Sequence, residues 1–123
     1  MVVQKYSLIA FLFLAGCVHA ISPETVTIDN TLSDCVEFSQ SKISRSEVLI
    51  LELKYQKKKS TSECGCKSAI SQYTSFVQLD GYEAFLMSGN FVFEATDNIR
   101  LPIATSQKMV GENDIKVRIA CAN

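Results

Sequence analysis

Ile115-Lys116-Val117-Arg118-Ile119-Ala120-Cys121 is the cleanest alternation in the chain, and its reading decides the fold. Successive side chains of a strand point to opposite faces, so Ile115, Val117, Ile119 and Cys121 share an inward face while Lys116 and Arg118 meet solvent. Val48-Leu49-Ile50-Leu51-Glu52-Leu53-Lys54-Tyr55 repeats the pattern, with Leu49, Leu51, Leu53 and Tyr55 on one face. Toward the amino terminus, residues 25–29 alternate with Val26 and Ile28 on one side. Turn chemistry follows in Asn30-Thr31-Leu32-Ser33-Asp34, then a strand resumes in Cys35-Val36-Glu37-Phe38.

The remaining segments fit the same class. Residues 39–46 read as a polar loop, and residues 57–63 as a charged, hydroxyl-rich connection. Residues 66–79 combine a helical stripe (Ile70, Tyr73, Val77) with the Thr, Tyr, Phe and Val content of a strand, and read as a strand with a helical turn at its start. Asp80-Gly81 is a tight turn. Residues 83–87 and 91–95 flank Ser88-Gly89-Asn90 and read as a hairpin. Pro102 has no N–H for a ladder, so residues 99–103 form an edge or irregular strand; residues 106–114 form a loop. About seven short strands without a long helix predict an all-β domain: a small antiparallel β-sandwich of immunoglobulin-like architecture, stapled by disulfides. The absence of Trp argues against an antibody-like member, not against the architecture.

The chain has 123 residues, enough for one domain. Its 12 Lys+Arg against 13 Asp+Glu give a net charge of −1, which argues against nucleic acid as a partner because phosphate binding needs a basic excess. A hydrophobic content of 47% argues against disorder.

The first twenty residues have the layout of a secretory signal: Lys5 near the amino terminus, then the apolar run Ser7-Leu8-Ile9-Ala10-Phe11-Leu12-Phe13-Leu14-Ala15, too short to span a bilayer permanently. Leu14-Ala15-Gly16-Cys17 resembles the bacterial lipobox, where a peptidase cuts before a Cys whose thiol carries diacylglycerol. That resemblance implies a signal peptide over 1–16, lipidation at Cys17, a lipid-proximal tether over 17–24 and a single domain over 25–123. With Val18 after the Cys, it further implies an outer-membrane lipoprotein facing the periplasm. The alternative site Val18-His19-Ala20 makes the signal 1–20 and releases a soluble periplasmic chain starting at Ile21.

With Cys17 set aside, Cys35, Cys64, Cys66 and Cys121 are an even set, which in an exported chain predicts two disulfides. A Cys64–Cys66 bridge closes a small, strained ring. On a strand the two would share a face and reach separate partners. A Cys35–Cys121 bridge would staple the termini. Spacing leaves the connectivity open.

Little else carries chemistry. The sole histidine, His19, lies in the leader or tether, so the folded part has no imidazole for a Ser-His-Asp, Cys-His or His-zinc site. The expectation is a protein that is not an enzyme, with no catalytic residues, no metal site and no cofactor. Cys64-Gly65-Cys66, followed by Lys67, admits two readings: structural half-cystines, or a thiol-redox or soft-metal (Cu(I)) site. Ser39-Gln40-Ser41-Lys42 matches the Ser-x-x-Lys pattern of serine acyl enzymes, but the Lys-Thr-Gly companion is missing and the chain is short for that class. Lys57-Lys58-Lys59 reads as a solvated run that discourages edge pairing, or as a contact for anionic headgroups.

Asp34-Cys35, Glu63-Cys64-Gly65-Cys66-Lys67-Ser68, Leu101-Pro102-Ile103-Ala104 and Ile119-Ala120-Cys121 together resemble a family of small exported bacterial domains of unknown function. The resemblance implies no activity. The reading as a whole is an exported cell-envelope protein acting as a non-enzymatic binding or assembly module. It would have an envelope protein as partner and contact the membrane through the Cys17 anchor. The alternative is a redox or metal-handling protein built on Cys64 and Cys66, and residues 106–114 are a candidate inhibitory loop.

Overall fold

The structure, a computed structural model, describes residues 26–94 and 97–123; the leader with Cys17 and His19, the tether and residues 95 and 96 lie outside the described residues. Seven strands follow in order: β1 (Val26–Asn30), β2 (Val36–Arg45), β3 (Leu49–Lys57), β4 (Ile70–Leu79), β5 (Tyr82–Val92), β6 (Asn98–Ala104) and β7 (Ile115–Cys121). Single 3-10 turns sit at Thr61–Cys64 and Gln107–Met109. The strands form two sheets, ordered β1-β7-β4-β5 and β2-β3-β6, so the expected all-β sandwich is what the chain adopts.

The two most regular stretches take two of the three central places. β7 lies between β1 and β4, with Ile115, Val117 and Ile119 fully buried; β3 lies between β2 and β6, with Leu49, Leu51, Leu53 and Tyr55 buried. Each such aliphatic side chain contributes about 1.5–3 kcal/mol on removal from water. A central strand has a neighbour on both sides, so its alternation must be strict. Lys116 and Arg118 do face outward, but they are half-buried by ion pairs to Glu83 and Asp29, each at 3.0 Å. Arg118 also lies 5.4 Å from the centre of the Phe76 ring.

Four features depart from the sequence reading. First, β1 runs parallel to β7, with Val26 opposite Ile115 and Ile28 opposite Val117. Alternation at Val26 and Ile28 is satisfied by either direction, so the pattern carries no signal for it. Second, residues 39–46 are not a loop: they continue β2 to Arg45, pairing with β3 through Ile43 opposite Leu51. Their polar character fits an edge strand, whose outer side stays in water. Third, Ser88-Gly89-Asn90 is not a turn but lies inside β5, so residues 83–87 and 91–95 do not form a hairpin. Gly89 sits opposite Tyr73, and a Cβ there would lie 2.8 Å from the Tyr73 ring. The aromatic ring occupies the space a side chain would fill, so this glycine marks a close approach rather than a reversal. Fourth, the helical turn stands at Thr61–Cys64, ahead of the predicted strand, which begins only at Ile70. Pro102 lies on β6, an edge strand, as its missing N–H requires.

Tyr73 and Ser75 fasten the sheets together with polar groups. The Tyr73 hydroxyl donates to the Pro102 carbonyl at 2.6 Å, and the buried Ser75 hydroxyl donates to the Ile103 carbonyl at 2.6 Å while accepting from the Met87 N–H at 3.2 Å. Both acceptors lie beside the register shift between Leu49 and Ile50, where the β3–β6 ladder is interrupted and carbonyls are available.

Candidate functional site

Three of the four crossings between sheets collect at one end; the fourth, from β6 to β7, lies at the other. The β1–β2 turn, the β3–β4 connection and the β5–β6 connection all lie at the first end with the carboxyl-terminal end of β7, while the β2–β3 and β4–β5 hairpins lie at the other. This crossing end carries every described cysteine. Cys35 at the head of β2 bonds to Cys64, and Cys66 bonds to Cys121 at the tail of β7. Residues 58–69 pass from one sheet to the other, and the two bridges pin them to both.

Gly65 makes that division feasible. It adopts φ 90° and ψ 6°, a left-handed conformation that costs an ordinary residue about 1–2 kcal/mol. The reversal sends Cys64 toward β2 and Cys66 toward β7. The pair is therefore neither on a strand nor a dithiol: both sulfurs are consumed in different bridges, and Cys66 is buried with 6% of its surface exposed. A Cys64–Cys66 ring and a Cys35–Cys121 staple are both absent. The turn ahead of Gly65 is held by the Ser60 N–H donating to the Glu63 carboxylate at 3.2 Å and by the Lys58 N–H donating to the Cys35 carbonyl at 2.7 Å.

Beside this end, a groove of about 460 Å³ opens between β1 and β2. Ile28, Val36 and Phe38 supply its apolar lining, and Asn30, Gln40 and Lys58 its polar rim. Asn30 shapes the wall: its amide donates to the Val36 carbonyl at 2.7 Å and its oxygen accepts from the Leu32 N–H at 3.0 Å. Below the groove, Phe38 approaches Phe93 at 6.1 Å, and Phe93 continues to Tyr55 at 5.0 Å and Phe91 at 4.8 Å. Phe93 and Tyr55 are buried core, Phe38 and Phe91 pack partly buried against it, and Phe38 gives the groove an aromatic lining.

The other sequence candidates are dispersed. Lys58 reaches Glu37 at 3.8 Å, and Lys57 and Lys59 are exposed. Ser39 lies on β2 and donates to the Lys54 carbonyl at 3.4 Å. Residues 106–114 are anchored by buried Val110. Among the described residues no group of three or more His, Cys, Asp or Glu side chains is placed to hold a metal ion, and no helix is long and apolar enough to cross a membrane. Sequence reasoning missed the groove, because its walls come from two strands of different sheets. Phe38 in an alternating edge segment was the one available signal.

Two disulfides indicate an oxidising compartment outside the cytosol. No curated protein and no solved structure matches the chain significantly. A family model does, over residues 9–123, a span that takes in all five cysteines. The chain thus belongs to the family described as an uncharacterized protein conserved in bacteria (DUF2195).

Proposed function

We propose that this protein is an envelope lipoprotein anchored through Cys17, which works as a non-enzymatic binding or assembly module. The observation that carries the reading is the cysteine count. Cys35, Cys64, Cys66 and Cys121 pair with one another, so Cys17 is the odd thiol, and it stands at the end of Leu14-Ala15-Gly16-Cys17. A single cysteine left over in an exported chain needs a separate purpose, and attachment of a lipid supplies one. The family match includes this segment. Val18 after the Cys favours the outer membrane. The binding part of the proposal rests on the groove beside the clamped end, where Phe38 and Lys58 offer an apolar lining and a cation on a rigid frame, suited to an extended segment of an envelope protein.

Intact-mass spectrometry of the mature protein, isolated from bacterial envelopes, tests the anchor. The expected species begins at Cys17, carries the mass of the attached acyl chains and lacks four hydrogen atoms through two disulfides. Cys17→Ala is expected to abolish lipid attachment and leave the folded domain with both bridges. A mature chain that begins at Ile21 and is extracted without detergent would refute the anchor.

A further inference from the structure

The edge strands of the two sheets differ in how they are protected against adding another strand. β6 carries Arg100 and Pro102; β2 carries Glu37, Lys42 and Arg45 with a bulge after Phe38; β1 is only five residues long and carries Asp29. Charges, proline, bulges and shortness are the ordinary devices that keep sheet edges from pairing. β5 is the exception. It is eleven residues long, and from Ala84 to Val92 it has neither a charged residue nor a proline. Tyr82, Phe85 and Val92 stand 64%, 61% and 46% exposed along it. Its one irregularity is Leu86, the extra residue between Phe85, which faces Phe76, and Met87, which faces Ser75.

We propose that β5 is the surface through which two copies of this chain pair, edge to edge and antiparallel, joining two four-stranded sheets into one. The charge pattern selects a second copy. A two-fold axis sets a strand against itself, so a charged edge meets its own sign, whereas residues 84–92 bring no charge to the contact. The flanking Glu83 is already neutralised by Lys116 at 3.0 Å. The bulge then selects the register. Side chains facing each other across a pair must share a face, and Leu86 reverses the alternation, which confines self-pairing to the part of β5 after it. Two five-residue registers remain, centred on Gly89 and on Asn90; the second lies farther from the bulge and places Ser88 against Val92 and Asn90 against Asn90 of the second copy. Such a contact falls below the roughly 800 Å² per partner of a standard interface, so the dimer is reversible. Among the described residues each copy has one such edge, so the assembly closes at two. This inference uses the sheet edge alone and stands whichever amino terminus the mature chain has.

Sedimentation equilibrium of the mature protein in density-matched non-ionic detergent, over a concentration series, tests it. The weight-average mass is expected to rise from one copy toward two. Asn90→Lys puts two ammonium groups face to face across the axis and is expected to weaken the dimer about twofold to fivefold, since directly opposed like charges destabilise a strand pair. Thr27→Lys makes the same charge change on β1, the opposite edge, and is expected to leave it intact. Ser88→Lys instead sets an ammonium group against Val92 of the second copy at both ends of the contact, and is expected to weaken the dimer should Asn90→Lys lose its disulfides. A wild-type mass that stays at one copy or climbs past two overturns the proposal, as does equal weakening by Asn90→Lys and Thr27→Lys.

Discussion

The clamp at the crossing end makes a quantitative prediction for Cys66→Ala/Cys121→Ala. The lost bridge spans a sequence separation of 55, and the other spans 29. In the chain-entropy description these loops constrain the unfolded chain by about 4 and about 3.5 kcal/mol. The loops follow one another without overlapping, so the contributions add, to roughly 7–8 kcal/mol for both. A domain of this size has about 5–15 kcal/mol in total. The variant lacking one bridge should therefore fold, with its Tm lowered by about 15–30 °C at 4–8 °C per kcal/mol. The variant lacking all four cysteines should be largely unfolded at growth temperature. Thermal unfolding followed by circular dichroism measures both, and thiol titration in denaturant adds a check on connectivity. Cys66→Ala/Cys121→Ala should retain one disulfide and no free thiol, because Cys35 and Cys64 remain bonded to each other. Two free thiols in that variant, or a Tm drop of less than about 5 °C, would refute the account of two independent staples.

Three further outcomes follow from the sheet contacts. Gly89→Ala forces a Cβ to within 2.8 Å of the Tyr73 ring and should cost about 1–3 kcal/mol in denaturant unfolding. Tyr73→Phe removes the bond to the Pro102 carbonyl and should cost about 1 kcal/mol. Burial raises the Tyr73 phenol above its ordinary 10.0, so its contribution is present below that value and is lost as pH rises through the raised folded pKa. An alkaline unfolding titration of wild type should show that loss, and Tyr73→Phe should not. The hydrogen bond from Lys116 holds the Glu83 carboxyl below the usual carboxylate range. That pairing is present above the ordinary glutamate pKa and fades as pH falls through the lowered one; NMR titration should find the Glu83 pKa rising in Lys116→Ala.

The most legible parts of the fold were two of the three strands with a neighbour on each side. β3 and β7 are buried on one face and bonded along both edges, so their period-two pattern is complete and readable. Two of the edge strands, β2 and β5, were read less well for a physical reason. β2 keeps polar side chains along 39–46 because water reaches its outer side. In β5, Gly89 imitates a turn because the ring that replaces its side chain arrives from Tyr73, sixteen residues earlier in the chain. The groove was illegible for a similar reason, since Ile28 and Phe38 meet only after β1 has joined one sheet and β2 the other.

By itself, the order of residues determined the β class, the inward faces of β3 and β7, and the pairing of four cysteines into two bridges. Those properties follow from local alternation and from a count. The tertiary structure decided which cysteines meet, that the first strand lies parallel to the last, and which edge is left without protection. Each depends on contacts between segments far apart in sequence, and no local period records which distant segment will supply the other half.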